Sequence, residues 1–176
     1  VGATGSFGSA IVERLVNANY SIVAVARSPS AMEAEWTAKY HGSVKLCNKA
    51  IADDSAIEAI AKSMSGKVSA VVHGPGVATA GGVLDAPPSS VTDAVNIKVG
   101  GLMRLVKATD QHLERGSRVI AIGGHYGSEP TAYAATAGAA NAALANIIRQ
   151  YSWALGERGI TAHLIAPGPA DTDRLH

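Results

Sequence analysis

Two periods of apolar residues alternate along the chain. Short runs of β-branched and other apolar residues predict strands at residues 21–26, 43–47, 68–73, 118–123 and 160–165. Between them, apolar residues recur at helical spacing and predict helices at residues 9–16, 32–40, 53–64, 91–112 and 132–158. Strands that alternate with helices in this way form parallel sheets covered on both faces. We therefore expect an α/β fold, a Rossmann-like doubly wound parallel sheet in a three-layer α/β/α arrangement.

The composition is that of one compact domain. The 176 residues are 47% hydrophobic and carry a formal net charge of +1. This is enough apolar material for one core, and it gives no electrostatic reason to bind nucleic acid or a membrane. We therefore treat residues 1–176 as a single domain. Cys47 is the only cysteine, so no internal disulfide can form, and a reducing, cytoplasmic location is predicted.

The chain opens on a glycine-rich turn that leads directly into a helix. The first eight residues read VGATGSFG, and the helical pattern starts at Ser9. Glycines let a backbone approach a phosphate closely, and the free N–H groups and positive dipole end of the helix attract the anion. Such turns also begin helices for purely steric reasons, so the pattern alone leaves both interpretations open. Under the first, the phosphate-binding residues are Gly2, Thr4, Gly5, Ser6, Phe7 and Gly8.

The end of the next strand favours one nucleotide over another. The strand at residues 21–26 is followed by Arg27 and Ser28, at the place where a dinucleotide fold reads the adenosine ribose. A carboxylate there would bond the ribose 2′-hydroxyl, whereas a guanidinium pairs with a 2′-phosphate. The sequence therefore predicts that Arg27 and Ser28 help to bind NADP(H). The alternative is a solvated arginine in a loop.

The sequence starts at the turn itself. It does not contain the strand that should precede a phosphate-binding turn, which is central in the usual strand order. The chain also stops shortly after a Pro-Gly loop, at His176. We therefore expect a first strand and a C-terminal part that these residues leave out.

Four segments carry a resemblance to the short-chain dehydrogenase/reductase family over essentially the whole chain. They are the opening turn, the sequence HGPG at residues 73–76 in place of the family's Asn-Asn-Ala-Gly, Asn96, and the segment RGITAHLIAPGPADT at residues 158–172. The last is the most specific match. The resemblance places Ala50 where the family has an aspartate near the adenine, and Thr172 where the family bonds the nicotinamide carboxamide. The further cofactor-binding residues that it implies are His73, Gly74, Pro75, Pro167, Gly168 and Thr172.

The catalytic positions of the family hold other residues in this chain. Counting back from Pro167 places Ala137 and Asn141 at the Tyr and Lys of the family's Tyr-x-x-x-Lys motif, and Gly124 at its serine. In the family, the tyrosine protonates the substrate oxygen, the lysine lowers the pKa of that tyrosine and holds the ribose, and the serine orients the substrate. The residues here can do none of this, although Asn141 can still hydrogen-bond a ribose hydroxyl. Of the usual tetrad, only Asn96 is retained.

Two nearby side chains are candidates for the missing acid. Tyr133 precedes Ala137 by one helical turn and lies on the same helix face. His125 follows Gly124 at the carboxyl end of a predicted strand, and imidazoles in general exchange protons near neutral pH. The alternatives are an aromatic anchor at the start of the helix for Tyr133 and an ordinary loop histidine for His125. The candidate catalytic residues are therefore His125, Asn96, Tyr133 and Asn141, and no ligand spacing suggests a metal site.

Three classes of function agree with this pattern. The first is an NADP-dependent oxidoreductase that transfers a hydride to a small organic substrate, such as an iminium ion, by a mechanism without the Tyr-x-x-x-Lys acid. The second is a non-redox enzyme on the same scaffold, a dehydratase, isomerase or pericyclase that uses the cleft for positioning. The third is a catalytically inactive homologue that binds a nucleotide or has a structural role. Fold alone does not separate them, and we favour the first because Arg27, Asn96 and residues 167–172 suit the holding of a nicotinamide.

The helices at residues 91–112 and 132–158 predict self-association. In the family, the corresponding helices pair across a two-fold axis, and small residues allow such helices to approach closely. The second helix carries them at Ala135, Gly138, Ala139, Ala142 and Ala143. We therefore expect a homodimer or homotetramer built through these helices, with a small-molecule substrate as the other partner. The alternative is that the small residues only accommodate the sheet or the cofactor beside the helix.

Overall fold

The structure is a computed structural model that describes residues 1–27 and 30–170. Within these ranges, helices and strands alternate along the chain. The helices are α1 (Ser6–Asn17), α2 (Ser30–Tyr40), α3 (Ser55–Ser63), α4 (Pro88–Val95), α5 (Gly101–Thr109) and α6 (Ala135–Gly156). The strands are β1 (Ile22–Ala26), β2 (Val44–Asn48), β3 (Val68–His73), β4 (Leu113–Ile122) and β5 (Thr161–Ile165). The predicted α/β alternation is confirmed.

The largest difference from the predicted elements is in the helix at residues 91–112. Its first part, α4, starts earlier, at Pro88, because proline is favoured where a helix N–H has no partner. A π-helical turn, Asn96–Gly100, separates α4 from α5, and a 3₁₀ turn, Asp110–His112, follows α5. β4 also begins earlier than predicted, at Leu113. The apolar pattern does not reveal this first part, because its residues are mostly exposed and its register with β3 is irregular near Val68.

All strand pairs of the described residues are parallel. β1 pairs with β2, and β3, β4 and β5 form a second group in that order. Val1 and Gly2 lie between the groups. The Val1 nitrogen donates to Val72 O at 2.7 Å, the Gly74 N–H donates to Val1 O at 3.0 Å, and the Gly2 N–H donates to Val25 O at 2.9 Å. A groove of about 850 Å³ lies between β1 and β3. The expected further strand stays a prediction.

Two apolar clusters hold the helices against the strands. The larger joins β3 and β4 to α3, α5 and α6, with Ile60, Leu102 and Leu144 fully buried. The smaller joins α1 and α2 to β1 and β2, where the rings of Trp36 and Tyr40 meet edge to face with centroids 5.6 Å apart. Burial of one such large side chain contributes about 1.5–3 kcal/mol to folding. The predicted Rossmann-like fold is therefore confirmed, and its core fixes the strand ends on which the site depends.

Candidate functional site

A cleft of about 620 Å³ opens beside the opening turn, at the carboxyl ends of β1 and β3. In a parallel α/β sheet this is the edge at which ligands bind. Most of the cofactor residues that the sequence predicted line this cleft: Gly2, Thr4, Gly5, Ser6, Phe7, Gly8, Arg27, Gly74 and Pro75. The fold therefore brings the turn, the end of β1 and the segment after β3 to one place.

Close contacts within the turn require glycine at two positions. Gly2 has a φ of +78°, and a Cβ there would lie 2.8 Å from Gly74 O. Gly8 lies in the first turn of α1, where a Cβ would overlap Gly2 O and lie 2.8 Å from the backbone of Ala3. Gly5 differs, because its Cβ would meet Gly2 O at an ordinary 3.6 Å. The first N–H groups of a helix have no partner inside it, so this tight turn offers those of α1 to an anion in the cleft.

Two cations lie where β1 and β2 end. Arg27 follows β1 and Lys49 follows β2; both are exposed, and both line the cleft. Ile51 lines it as well, whereas Ala50, which the resemblance placed near the adenine, is not part of the lining. Sequence reasoning missed Lys49 and Ile51 because no periodicity marks this loop. The signal that finds Lys49 is strand pairing, since its N–H donates to Ala26 O at 3.1 Å.

His73 ends β3 inside the protein and not in the cleft lining. Its side chain is fully buried, and Nε2 donates to Ile97 O at 3.2 Å. α5 approaches so closely that a Cβ at Gly101 would lie 2.8 Å from the imidazole. Burial, with smaller contributions from positive charges that include Lys98, lowers the pKa of His73 to about 3. The imidazole is therefore neutral near neutral pH, and its position favours a role in packing over the predicted contact with the cofactor.

Asn96 begins the π-helical turn, and its side chain is engaged by the protein. Nδ2 donates to Ala52 O at 3.0 Å, and Oδ1 accepts from Arg104 Nη1 at 2.9 Å. The Arg104 guanidinium also pairs with Asp54 at 2.7 Å. Asn96 therefore ties the helix to the loop after β2. These two hydrogen bonds hold the side-chain amide against the protein, and the predicted catalytic role of Asn96 stays a prediction.

Gly124 and Asn141 are in contact at the end of β4. Asn141 is buried, and its Nδ2 lies 2.8 Å from where a Cβ of residue 124 would stand. Gly127 packs directly on the helix, since its Cβ would lie 2.8 Å from the carbonyl carbon of Asn141. Within the described residues, Asn141 Oδ1 is buried and has no hydrogen-bond partner. The asparagine amide thus occupies the space that a side chain at position 124 would need. Its oxygen can accept a hydrogen bond from a bound molecule.

Three aromatic side chains form a cluster in the loop between β4 and α6. The Tyr126 and Tyr133 hydroxyls are 2.7 Å apart, and their rings meet edge to face. The His125 ring lies 4.0 Å from that of Tyr126, centroid to centroid. The hydrogen bond with Tyr133 raises the pKa of Tyr126. The structure therefore places the two predicted acid candidates in one cluster with Tyr126, whose role the sequence did not indicate.

The segment after β5 lies beside the loop after β4. The His125 N–H donates to Pro167 O at 3.1 Å, and the Gly123 N–H donates to Ile165 O at 2.8 Å. Pro167 and Gly168 therefore follow β5 at the same sheet edge as the end of β4. Of the predicted cofactor residues, Ser28 and Thr172 lie outside the described residues.

The described residues hold no group of His, Cys, Asp or Glu side chains placed to bind a metal ion. They also contain no helix that is both long and apolar enough to cross a membrane.

The parallel strands, the glycine turn before α1 and the cleft at the strand ends define a nucleotide-binding α/β protein of the short-chain dehydrogenase/reductase type. A family model described as enoyl-(acyl carrier protein) reductase matches residues 2–176. The chain therefore belongs to this family of short-chain dehydrogenases/reductases, and the resemblance noted in the sequence is confirmed.

Similar proteins cover nearly all of the chain. The cyclic-di-GMP-binding biofilm dispersal mediator protein of Escherichia coli is 26% identical over 174 residues, which are 98% of this chain and 72% of that protein. The 3-oxoacyl-(acyl-carrier-protein) reductase FabG of Salmonella typhimurium is 26% identical over 180 residues, with the same shares of the two chains. Among solved structures, a blue fluorescent protein from a metagenomic library in complex with NADPH has a TM-score of 0.88 and 25% identity, over 98% of this chain and 73% of that one.

Proposed function

We propose that this protein binds NADP(H) and transfers a hydride to a small organic substrate without the family's Tyr-x-x-x-Lys acid. The observation that carries the proposal is the cleft, in which the tight glycine turn and the start of α1 face the exposed cation Arg27. These groups suit a pyrophosphate and a 2′-phosphate, respectively. The solved structure of the metagenomic protein in complex with NADPH supports the same choice of cofactor.

Asn141 fits the ribose next to the nicotinamide. Its buried Oδ1 lacks a hydrogen-bond donor within the described residues, and a buried acceptor of this kind is costly unless a partner reaches it. A ribose hydroxyl is such a donor. Asn141 would therefore take over the ribose contact of the family's lysine, but as a neutral amide it cannot stabilise a tyrosinate.

The chemistry asked of the protein is then modest. When bound, the reduced nicotinamide supplies a hydride. An iminium substrate accepts it without protonation, so the protein need only position the two partners. For a carbonyl substrate, His125 or Tyr133 is the group that would deliver a proton to the oxygen, because both lie in the aromatic cluster beyond Gly124.

Cofactor titration tests the proposal directly. Arg27→Ala should weaken NADPH binding by about tenfold or more and NADH binding by less than about twofold, because only NADPH carries the phosphate that the guanidinium meets. Cofactor fluorescence measures both. Equal losses for the two cofactors would contradict the role of Arg27, and a wild-type protein that binds neither would exclude the proposed function.

Restoring the family's catalytic pair should not restore its chemistry. We expect the double variant Ala137→Tyr and Asn141→Lys to reduce generic ketones within about tenfold of the wild-type rate, because Gly124 still supplies no hydroxyl to orient the substrate. Steady-state NADPH oxidation with a panel of ketones measures this, and thermal unfolding followed by circular dichroism reports whether the variant is folded. A rise of about 1,000-fold would mean that the remaining site is that of a standard reductase.

A nucleotide-binding protein without turnover is the second candidate. It is favoured by Asn96, whose side-chain amide makes hydrogen bonds to Ala52 and Arg104 of the protein itself. The similar E. coli protein is described as binding cyclic-di-GMP, which supports a role in ligand binding as an alternative to catalysis. Under this alternative NADPH binds, yet no substrate accelerates its oxidation. A non-redox dehydratase, isomerase or pericyclase would instead convert a substrate with no change in bound NADPH.

The outer face of α6 supports the proposed homodimer or homotetramer. Ala139 and Ala142 are exposed on it, and Trp153, three turns after Ala142, is 77% exposed. A charged side chain there would prevent close helix pairing. Ala139→Arg should therefore sediment as a particle of half the wild-type mass. Ala38→Arg, an exposed alanine on α2, is the matched control and should leave its size unchanged. An Ala139→Arg protein of unchanged size would place the interface elsewhere.

A cytoplasmic location is also part of the proposal. Cys47 is a buried, free thiol, which fits a reducing compartment.

A further inference from the structure

Lys49 and Arg27 leave the sheet side by side. β1 and β2 pair in parallel with Ala26 opposite Asn48, so the next residue of each strand is one of these cations. Neighbouring strands lie about 4.8 Å apart, and the Lys49 N–H is hydrogen-bonded to Ala26 O at 3.1 Å. Both side chains are exposed and both line the cleft. The fold therefore places two positive charges at the end of the cleft formed by the last residues of β1 and β2.

The ammonium of Lys49 hydrogen-bonds a hydroxyl and makes no ion pair within the described residues, although its charge is felt by Asp53 and Glu58. Nζ lies 3.4 Å from the Ser55 hydroxyl, which accepts its hydrogen bond. Asp53 is close by, but its carboxylate accepts the Ser55 N–H at 2.7 Å. The ion pairs of the described residues are made by other cations, namely Lys62, Lys67, Arg104 and Arg158. Lys49 and Arg27 are thus a pair of cations that face the cleft without a carboxylate partner within 4.0 Å in that part of the chain.

The chemistry of a 2′-phosphate matches such a pair. A phosphate monoester carries a charge of about −1.5 to −2 near neutral pH, so a single guanidinium leaves about 0.5 to 1 negative charge without a counterion. A planar guanidinium can bind the phosphate through bidentate hydrogen bonds, and a compact ammonium can add a second positive charge beside it. We propose that Lys49 is a second binding residue for the 2′-phosphate, so that the preference for NADP(H) is shared between Arg27 and Lys49. This inference rests on the proposed function.

The test compares NADPH and NADH binding in wild type, Arg27→Ala, Lys49→Ala and the double variant by cofactor fluorescence. Lys49→Ala should weaken NADPH binding about three- to tenfold and NADH binding by less than about twofold. The loss should shrink when NaCl is raised from about 50 to about 300 mM, because both cations are exposed to screening. The double variant should bind the two cofactors with similar affinity.

Two control variants separate this role from a structural one. Lys107→Ala removes an exposed lysine on α5 and should change neither affinity. Ser55→Ala removes the hydroxyl that holds the ammonium but keeps the charge, so it should retain most of the preference for NADPH.

Each remaining outcome overturns a distinct claim. If Lys49→Ala weakens both cofactors equally, or neither, the inference about Lys49 is wrong while the proposed function stands. If Arg27→Ala alone abolishes the whole preference for NADPH, the sharing is likewise refuted. If the wild-type protein binds neither NADPH nor NADH, the proposed function fails and Lys49 loses its role with it.

Discussion

Replacing Gly8 by alanine is expected to weaken NADPH binding at least about 100-fold, or about 2.7 kcal/mol. Helix propensity alone would lead us to expect a more stable protein, because alanine is favoured over glycine inside a helix by about 1 kcal/mol. The added Cβ, however, would overlap Gly2 O and press on the backbone of Ala3. Because backbone cannot rotate away as a side chain can, α1 must shift as a whole. The N–H groups at its start then leave the positions from which they reach a phosphate.

Gly5→Ala is the matched control for Gly8→Ala. The same methyl group at Gly5 meets Gly2 O at 3.6 Å, and the backbone there is extended with a φ of −77°, which alanine adopts freely. Because Gly5 lines the cleft, some loss of NADPH affinity is expected, but it should be at least about tenfold smaller than the loss in Gly8→Ala. Thermal unfolding followed by circular dichroism shows whether each variant is folded. Gly8→Ala binding NADPH as well as Gly5→Ala does would contradict the close approach on which the site depends.

Acidification is expected to destabilise the protein through His73 well before the carboxylates are protonated. The folded-state pKa of His73, about 3, lies below the value of about 6.5 for an unperturbed imidazole, so the unfolded chain takes up the proton first. The free energy of unfolding is therefore highest above about pH 6.5 and falls toward pH 3, by up to about 1.4 kcal/mol per pH unit. Between pH 7 and pH 5 this amounts to about 2 kcal/mol.

Urea unfolding at several pH values measures this slope. His73→Asn should have a clearly smaller slope between pH 7 and pH 5, whatever its stability at neutral pH, because the variant has no imidazole at this position to protonate. Ordinary Asp and Glu side chains titrate below that range, but the Val1 amino group, whose pKa burial lowers to about 5, contributes to the same slope and is left unchanged by the substitution. His41→Asn is the control, because His41 is exposed and has a φ of +50°, a conformation that asparagine tolerates. An unchanged slope in His73→Asn would show that the proton is taken up elsewhere.

The sequence predicted the strand ends and most of the cleft, because both depend on local signals. Apolar runs fix which residues are buried, and the glycine turn together with the end of β1 marks the phosphate and ribose positions. Gly2 and Gly8 belong to that motif, and the structure adds the contacts that require them. The predicted fold class is therefore the observed one, and most of the predicted cofactor residues lie in the cleft lining.

The parts that the sequence missed depend on contacts between distant segments. Lys49 reaches the cleft because β2 pairs with β1, which no pattern in its own loop reveals. His73 occupies the position of a family asparagine, and only the approach of α5 at Gly101 shows that it is enclosed. The Tyr126–Tyr133 hydrogen bond likewise depends on how the loop after β4 folds back. Such contacts have no period and no fixed spacing, so single-sequence reasoning cannot find them.

The contact between Gly124 and Asn141 also makes the effects of substitution depend on their order. While the amide of Asn141 lies 2.8 Å from the place of a Cβ at 124, a side chain at Gly124 must displace a buried group. Once residue 141 is changed, a side chain at position 124 no longer meets the Asn141 amide. A change of Gly124 to serine is therefore expected to be easier once position 141 has changed. The tolerance of position 124 in a scan of single substitutions would then depend on a residue of α6, which is a case of epistasis.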